Sequence, residues 1–167
     1  MSPDWLPPQL SLSGSSLQAN YDELFAIYER DFINNSPVTV DGSVVINDTT
    51  IDLTFGGGIY TYGFTHLITI GKQDRYIDYD RAKKLPWVRA VLENYLEPEV
   101  TAFYVNTPKG PTLYLWLVDL DFVVVLKKPR SKKEQAANNK IIVTAYHLKD
   151  YGRSDMQKLY GRSSGQL

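Results

Sequence analysis

The stretch VTAFYVNTPKGPTLYLWLVDLDFVVVLK, residues 100–127, contains three runs rich in β-branched and aromatic residues. TPKG separates the first two runs, and an aspartate turn separates the second from the third. A fourth run, IIVTAYHL, follows the polar loop KKPRSKKEQAANNK. Consecutive strands with short connections pair antiparallel, so these runs predict an antiparallel meander. The predicted strands lie at approximately 100–105, 112–118, 121–127 and 140–148.

The chain before the meander is organised differently. Residues 1–19 are rich in Pro and Ser and show no apolar period, so they are predicted to form an arm that docks through Trp5 and Leu6. Residues 38–55 alternate between β-branched and polar side chains, which predicts a hairpin or two weak strands. The GGG run at 56–58 is predicted to be a flexible break.

Two helical segments are predicted around these strands. Asn20 followed by Glu23 has the N-cap and capping-box pattern of a helix over residues 21–32. Pro86 suits the first position of a helix and not its interior. Residues 77–96 are therefore predicted to form a short helical turn, capped by an aspartate, and then a helix that begins at Pro86.

A helical segment packed on a four-stranded antiparallel β-meander defines an α+β fold, with the N-terminal helix and hairpin as an extension. The length of 167 residues is sufficient for one substantial core. We place an acidic N-terminal extension (arm, helix and hairpin) at residues 1–59 and the main domain at residues 60–167.

Composition excludes several kinds of chemistry. The chain has no cysteine, which excludes disulfides, thiolate catalysis and cysteine-based zinc sites. It has only two histidines and no metal-binding motif, so neither a metal ion nor another cofactor is expected. Without an apolar run long enough to span a membrane or an export signal pattern, the chain is expected to be soluble and cytoplasmic.

The net charge of −1 conceals a strong asymmetry. Residues 1–65 contain eight acidic residues and a single basic one, Arg30, whereas residues 66–167 contain seventeen Lys and Arg residues and eleven acidic ones. A basic main body can favour an anionic ligand despite a nearly neutral total. A solvated charged surface with no ligand would show the same pattern.

The loop KKPRSKK, residues 127–133, concentrates positive charge between two predicted strands. Lysine and arginine neutralise phosphate charge without reading base sequence, so the loop is a candidate substrate-binding segment. A solvated, mobile loop is the alternative interpretation. The substrate-binding candidates in this loop are Lys127, Lys128 and Arg130.

The segment 66–89 contains the clearest candidates for catalysis. His66, predicted at a strand end in FTHLITI, has an ordinary pKa that allows proton exchange near neutrality. Arg75, Arg81 and Arg89 follow within the segment, and a guanidinium donates to two phosphate oxygens at once. A proton acceptor beside fixed positive charge is what cleavage of a phosphodiester without a metal requires. Structural roles in the core and in ion pairs are the alternative.

The order of these motifs resembles a known nuclease superfamily. FTHLITI is followed by DRYIDYDRAKKLPWVRAVLE, the meander, IIVTAYHL and a short basic helix, DMQKLYGR. Over about residues 60–162 the series is similar to the phage-borne and polymorphic-toxin branch of the barnase/EndoU/colicin/RelE-like (BECR-fold) nucleases. The recurring marks of that branch are an early histidine, an arginine-containing helix and a late strand ending in a TAY-like element.

The resemblance implies that RNA binds across the sheet and is cleaved without a metal by its own 2′-hydroxyl, which leaves a 2′,3′-cyclic phosphate. Such nucleases are toxins restrained by an antitoxin or immunity protein, and many attack tRNA. The histidine would be the acid–base residue and the helical arginines would bind phosphate, with Arg75 a further binding candidate. Carried over to this sequence, the catalytic residues are His66, Arg81, Arg89, Thr144 and Tyr146.

Side-chain alternation divides the polar end of IIVTAYHL. Thr144 and Tyr146 leave one face of a regular strand, and His147 leaves the other, where it is predicted to be structural. A regular strand would also place Ile142 on the face of Thr144.

Two other classes of function remain open from the sequence. One is a non-catalytic module of the same fold that binds RNA or protein. The other is a phage accessory or structural protein whose acidic N-terminal part is an interaction domain.

Overall fold

A computed structural model describes residues 1–12 and 14–167 of the chain. The helices are α1 (Leu17–Tyr28, continued by a π-helical turn over Glu29–Ile33), α2 (Tyr62–Ile68), α3 (Tyr79–Ala82), α4 (Leu85–Glu93), α5 (Lys132–Ala136) and α6 (Gly152–Gly161). The strands are β1 (Thr39–Val40), β2 (Ser43–Ile46), β3 (Thr69–Ile70), β4 (Tyr76–Ile77), β5 (Val100–Thr107), β6 (Gly110–Leu117), β7 (Phe122–Lys127), β8 (Asn139–His147) and β9 (Gly165–Gln166).

The main sheet has seven strands in the order β1-β2-β8-β7-β6-β5-β9, and β3 and β4 form a separate hairpin. The α+β class is confirmed, and β5 to β8 form the predicted antiparallel meander. The prediction of a four-stranded antiparallel sheet is wrong in extent. Residues 44–46 of β2 pair parallel with the start of β8, and short strands extend both edges.

The predicted turns of the meander adopt the backbone that their residues favour. Gly110, after TPK, has a φ of +102°, a conformation that glycine adopts without steric cost. Asp121, in the turn before β7, has a φ of +50°, and aspartate is among the residues that tolerate the left-handed region. Local turn chemistry therefore sets the register of these antiparallel pairs.

Helices cover the sheet on both faces. On one face α1, α2 and α4 contribute Leu24, Phe64 and Val91 to the larger core, and each of these side chains is fully buried. On the other face α6 packs Met156 against a smaller cluster that contains Phe103. Complete burial of a side chain of this size stabilises the fold by about 1.5–3 kcal/mol.

The first helix begins earlier than the sequence predicts. α1 starts at Leu17, and the hydroxyl of Ser16 caps it by accepting from the Ala19 N–H at 3.1 Å. The predicted cap, Asn20, is buried inside the helix, where its side-chain oxygen accepts from the Gly14 N–H at 3.0 Å. A hydrogen bond to the segment just before the helix thus replaces the expected capping box.

The N-terminal arm docks as predicted, with Trp5 and Leu6 packed against the larger core. The indole N–H of Trp87 donates to the Pro7 carbonyl at 2.8 Å, and the Leu10 N–H donates to the Lys83 carbonyl at 2.9 Å. These bonds hold the arm against α3 and α4.

The acidic N-terminal part shares its packing with the rest of the chain. Leu24 and Tyr28 of α1 lie in the same core as Phe64 and Val91, and β2 belongs to the main sheet. The domain boundary at residue 59 stays a prediction, and the residues on its two sides contribute to one hydrophobic core.

Candidate functional site

His66 lies in the last turn of α2, half-buried, with its ring edge-to-face on Tyr62 at a centroid distance of 5.1 Å. The predicted strand end at this histidine is wrong, because only β3 (Thr69–Ile70) is extended. Phe64 and Leu67 are buried in the core, and their packing outweighs the weak helix propensity of a segment rich in β-branched residues.

Arg81 joins the end of α2 to the sheet. It lies in α3, which is capped by an aspartate, as predicted, and that residue is Asp78. The Arg81 Nη1 donates to the carbonyl oxygens of His66 at 3.2 Å and Thr69 at 2.8 Å, and to the Thr144 hydroxyl at 3.4 Å. The last carbonyls of a helix have no partner within it, so this guanidinium satisfies the C-terminus of α2.

The edge of β8 explains why these groups meet. β2 covers β8 only at residues 139–141, and α2 and α3 pack against the remainder of the strand. Thr144 and Tyr146 lie in that remainder, and the Thr144 hydroxyl is 3.4 Å from the His66 carbonyl oxygen. Hydrogen bonds therefore join three sequence-predicted residues, His66, Arg81 and Thr144, where β2 ends. Tyr146 lies two residues further along β8, close enough for the charge of Arg81 to act on its hydroxyl. We call these four residues the β8-edge cluster.

A β-bulge at Val143 decides which β8 side chains share a face. Ile142 and Thr144 pair with adjacent residues of β7, so Val143 is the extra residue. Ile142 packs in the core under α1, α2 and α4, whereas Val143 and Tyr146 pack on the opposite face. The expectation that Ile142 and Thr144 share a face, valid for a regular strand, is therefore wrong.

Arg75 adds positive charge close enough to His66 to affect its pKa. It lies between β3 and β4, where its Nε donates to the Thr69 hydroxyl at 2.9 Å and its Nη1 donates to the Gly71 carbonyl at 3.1 Å. Gly71 has a φ of +110°, and a Cβ there would lie 2.5 Å from the Asp74 carbonyl oxygen. Only glycine allows this tight return of the chain, which brings Arg75 back to β3.

A buried aspartate that we did not predict supports this arrangement. Asp52 is fully buried and accepts hydrogen bonds from the Thr65 hydroxyl at 2.6 Å and from the Thr54 N–H at 2.9 Å. The Thr69 hydroxyl donates to the Thr65 carbonyl at 2.6 Å and accepts from Arg75. The chain of bonds therefore runs from Asp52 along α2 to Arg75. The one sequence signal for this arrangement is the four-residue spacing of Thr65 and Thr69, which places both on one face of a helix.

Replacing Asp52 by asparagine is expected to lower the free energy of unfolding by about 1–3 kcal/mol, because an amide cannot accept all of these hydrogen bonds. Burial acts to raise the pKa of Asp52, but bonds from Thr54 and Thr65 outweigh it and hold the pKa below 3.8. The carboxylate therefore contributes stability above the unfolded-state pKa, and that contribution is lost as pH falls through the folded-state pKa.

Urea unfolding from pH 7 down to pH 2 measures this effect. The difference between wild type and Asp52→Asn is expected to be full at neutral pH and to shrink at the acid end. Asp150→Asn, at an exposed position, is the matched control and is expected to change stability by less than about 0.5 kcal/mol. Equal stability of wild type and Asp52→Asn at pH 7 would show that the buried carboxylate does not support α2.

The electrostatics of the β8-edge cluster suit a neutral histidine. Burial lowers the pKa of His66 below 6.5, and the positive charge of Arg75 lowers it further, while Asp52 acts in the opposite direction. Burial raises the pKa of Tyr146 to about 12, and Tyr114 adds to the rise. At neutral pH the imidazole is therefore a proton acceptor, and the phenol is a hydrogen-bond donor.

The structure places Arg89 away from these groups. Its guanidinium donates to the carbonyl oxygens of Asp31 and Ser36, and its Nε pairs with Glu93 at 2.6 Å. These contacts hold the end of the first helix and the following loop against α4. Arg89 therefore forms no hydrogen bond to a member of the β8-edge cluster within the described chain.

The basic loop also lies apart from the cluster. Lys127 ends β7, Lys128 and Arg130 are exposed, and the stretch predicted as an open loop contains the short helix α5, capped by Ser131. Lys127 and Lys128 line a pocket at the start of β8. The predicted substrate-binding lysines are therefore near one another but not beside His66.

Comparisons with protein families, with curated proteins and with solved structures found no match to this chain. Within residues 1–12 and 14–167, no three or more His, Asp or Glu side chains are grouped as metal ligands would be. The same residues include no helix with the length and apolar character needed to cross a bilayer.

Proposed function

We propose that the chain is a ribonuclease that cleaves RNA without a metal, with the β8-edge cluster as its active site. The observation that carries the proposal is the position of Arg81, whose guanidinium touches both the backbone of His66 and the hydroxyl of Thr144. A proton acceptor, a fixed cation and hydroxyl groups thus lie in one cluster. The motifs FTHLITI, DRYIDYDRAKKLPWVRAVLE and TAY, which resemble those of BECR-fold nucleases, contain the four residues of the cluster.

In the proposed reaction neutral His66 takes the proton of a ribose 2′-hydroxyl. The 2′-oxygen forms a bond to the adjacent phosphorus, the bond from phosphorus to the 5′-oxygen breaks, and the leaving oxygen takes a proton from water. Arg81 and Arg75 place positive charge where the pentacoordinate phosphate gains negative charge. Tyr146 stays protonated and donates a hydrogen bond to a phosphate oxygen.

The outer part of the sheet offers a surface for RNA bases. Tyr114 and Tyr146 lie on the face that carries α6, and both rings are half-buried, not covered completely. Single-stranded RNA is bound by stacking of splayed bases on aromatic side chains. RNA, possessing the attacking 2′-hydroxyl, is therefore the proposed substrate, and an antitoxin or immunity protein in the cytoplasm is the proposed partner.

A binding module that holds RNA without cleaving it is the second candidate. It is favoured by the arginines, since Arg81 and Arg89 both direct N–H groups to backbone carbonyls and so have structural roles. Incubating the purified chain with total RNA in EDTA distinguishes the two. The ribonuclease is expected to produce fragments with 2′,3′-cyclic phosphate ends. RNA that is bound by the chain but stays intact would support the binding module. A chain that neither binds nor cleaves RNA would exclude both candidates.

The pH dependence of cleavage is expected to report His66. Because burial and Arg75 lower the pKa of His66, the acid limb of kcat/KM should have its midpoint below pH 6.5. Replacing Arg75 by glutamine removes a positive charge that disfavours the imidazolium, so the midpoint should move to higher pH. Rates of wild type and Arg75→Gln on a short RNA between pH 4.5 and 8 measure it. A midpoint that does not move would show that the charge of Arg75 does not act on the titrating group.

A further inference from the structure

A pocket lined by lysines, amides and apolar side chains lies at the start of β8, at the opposite end of the strand from Tyr146. It has a volume of about 360 Å³, and its lining includes Ser43, Tyr104, Pro111, Lys128, Asn138 and Lys140. Lys140 precedes the bulge at Val143 and Thr144 follows it, about 13 Å away along the strand. The pocket is therefore separate from the β8-edge cluster.

Lys140 is the group around which the pocket is built. Its side chain is half-buried, with Nζ 2.7 Å from the Ser43 hydroxyl oxygen and 5.8 Å from the centroid of the Tyr104 ring. No carboxylate in the described chain forms an ion pair with this ammonium. A partly desolvated cation without a counter-ion gains more from an incoming anion than an exposed one does.

Asp41, the acidic residue whose charge acts on Lys140, is already engaged in hydrogen bonds. The Tyr104 hydroxyl donates to the Asp41 carboxylate, and the Asp41 N–H donates to the Tyr95 hydroxyl oxygen at 3.2 Å. Asp41 lies beside the pocket but is not among its lining residues, which include three lysines and no acid. The lining therefore has a net positive charge.

Amide and apolar groups complete the lining. Asn138 has a φ of +55°, a conformation that asparagine tolerates, and its side chain accepts from Ser43 at 3.3 Å and donates to the Gly42 carbonyl at 3.2 Å. Tyr104 and Pro111 add apolar surface to the lining. The volume lies at the lower end of the range for small-molecule sites, about 300–1,000 Å³, and suits one nucleotide.

We propose that this pocket binds the phosphomonoester of a single nucleotide, with the phosphate on Lys128 and Lys140 and the nucleoside against Tyr104 and Pro111. A phosphomonoester carries close to two negative charges at neutral pH, which two lysines can match. The nucleotide is either free or the phosphorylated end of a nucleic acid chain. This inference goes beyond the proposed function, since it requires neither His66 nor cleavage.

Calorimetric titration of the full chain with AMP, GMP, CMP and UMP tests the pocket. At least one nucleotide is expected to bind, and its nucleoside to bind at least about tenfold more weakly, which corresponds to about 1.4 kcal/mol. Lys140→Gln should weaken the nucleotide by a similar factor. Lys158→Gln removes a positive charge from the exposed face of α6 and is the matched control. It should bind the nucleotide as the wild type does.

A 2′-deoxy tetranucleotide, which has no internal 2′-hydroxyl to attack, separates the two sources of phosphate. Equal binding of the monomer and of the 5′-phosphorylated tetramer would show that the pocket accepts a phosphorylated chain end as well as a free nucleotide. Exclusion of the tetramer would identify the free nucleotide, and either result supports the pocket.

Two results would overturn the proposal. One is the absence of binding by all four nucleotides at millimolar concentration. The other is unchanged binding by a folded Lys140→Gln variant, or by Lys128→Gln if the first variant does not fold. Lys128 is exposed, so its replacement should leave the melting temperature unaltered. His66→Ala is expected to bind the nucleotide normally, which separates this result from a failure of cleavage.

Discussion

Replacing His66 by alanine is expected to reduce RNA cleavage by about 10²–10⁴-fold, the usual contribution of a positioned acid–base group. The imidazole is half-buried against Tyr62 and its lowered pKa keeps it neutral at pH 7, so it is the proton acceptor that the proposed reaction needs. Initial rates on a short RNA, with the melting temperature of each variant measured alongside, give the result.

The second histidine offers a matched control for this prediction. His147 is also half-buried and also has a pKa lowered chiefly by burial. It lies on β8, however, where it pairs with Phe122 of β7. His147→Gln is therefore expected to retain cleavage. A folded His66→Ala variant that cleaves RNA at the wild-type rate would remove His66 from the mechanism. Equal losses in both histidine variants would point to a defect of the fold.

Replacing Arg81 by methionine is expected to lower the free energy of unfolding by about 2–4 kcal/mol, because the carbonyl oxygens of His66 and Thr69 lose a charged donor. Cleavage should fall as well, since the end of α2 positions His66. Urea unfolding and RNA cleavage are measured on the same samples. Arg162→Met, at an exposed position in the C-terminal segment, is expected to change stability by less than about 0.5 kcal/mol.

The same experiment separates two roles for Arg81. The sequence suggests a phosphate-binding arginine, and that role alone would leave the unfolding curve of Arg81→Met unchanged while cleavage is lost. The structure adds a supporting role through the backbone of α2, which predicts that stability and cleavage fall together. An Arg81→Met variant that loses cleavage but keeps its stability would therefore indicate that Arg81 only binds phosphate.

Sequence reasoning succeeded where structure is locally encoded. The strands of the meander are runs of β-branched and aromatic residues joined by turns such as the one at Asp121. Pro86 likewise lies in the first turn of α4, which begins at Leu85, one residue earlier than predicted. Each of these elements depends on residues close to one another in the chain, so its signal is complete within a short window.

Tertiary contacts decided the elements that sequence reasoning missed. Residues 64–68 resemble a strand but are helical because they fill the core under the sheet. The parallel pairing of Val44 with Asn139 joins distant segments and leaves no local pattern. The bulge at Val143 is equally invisible, and it changes which side chains share a face.

The candidate site was predicted in composition more than in geometry. The chemistry of histidine and arginine points to His66 and Arg81, and the family resemblance adds Thr144; the structure brings the three together. The same chemistry points to Arg89. On α4, however, Arg89 lies next to buried Val88, on a different face of the helix, and its guanidinium donates to the Asp31 carbonyl oxygen. Where a helical side chain goes depends on the partner that its face meets, which spacing alone does not define.

The parallel pair of β2 and β8 has a consequence for synthesis of the chain. A ribosome releases β2 long before residues 139–141, its partner in the sheet, have been made. During that interval β2 has only the two-residue β1 beside it, and its other edge is available to pair with foreign strands. The sheet therefore acquires its final width only near the end of translation, and a chain interrupted before β8 would be liable to aggregate.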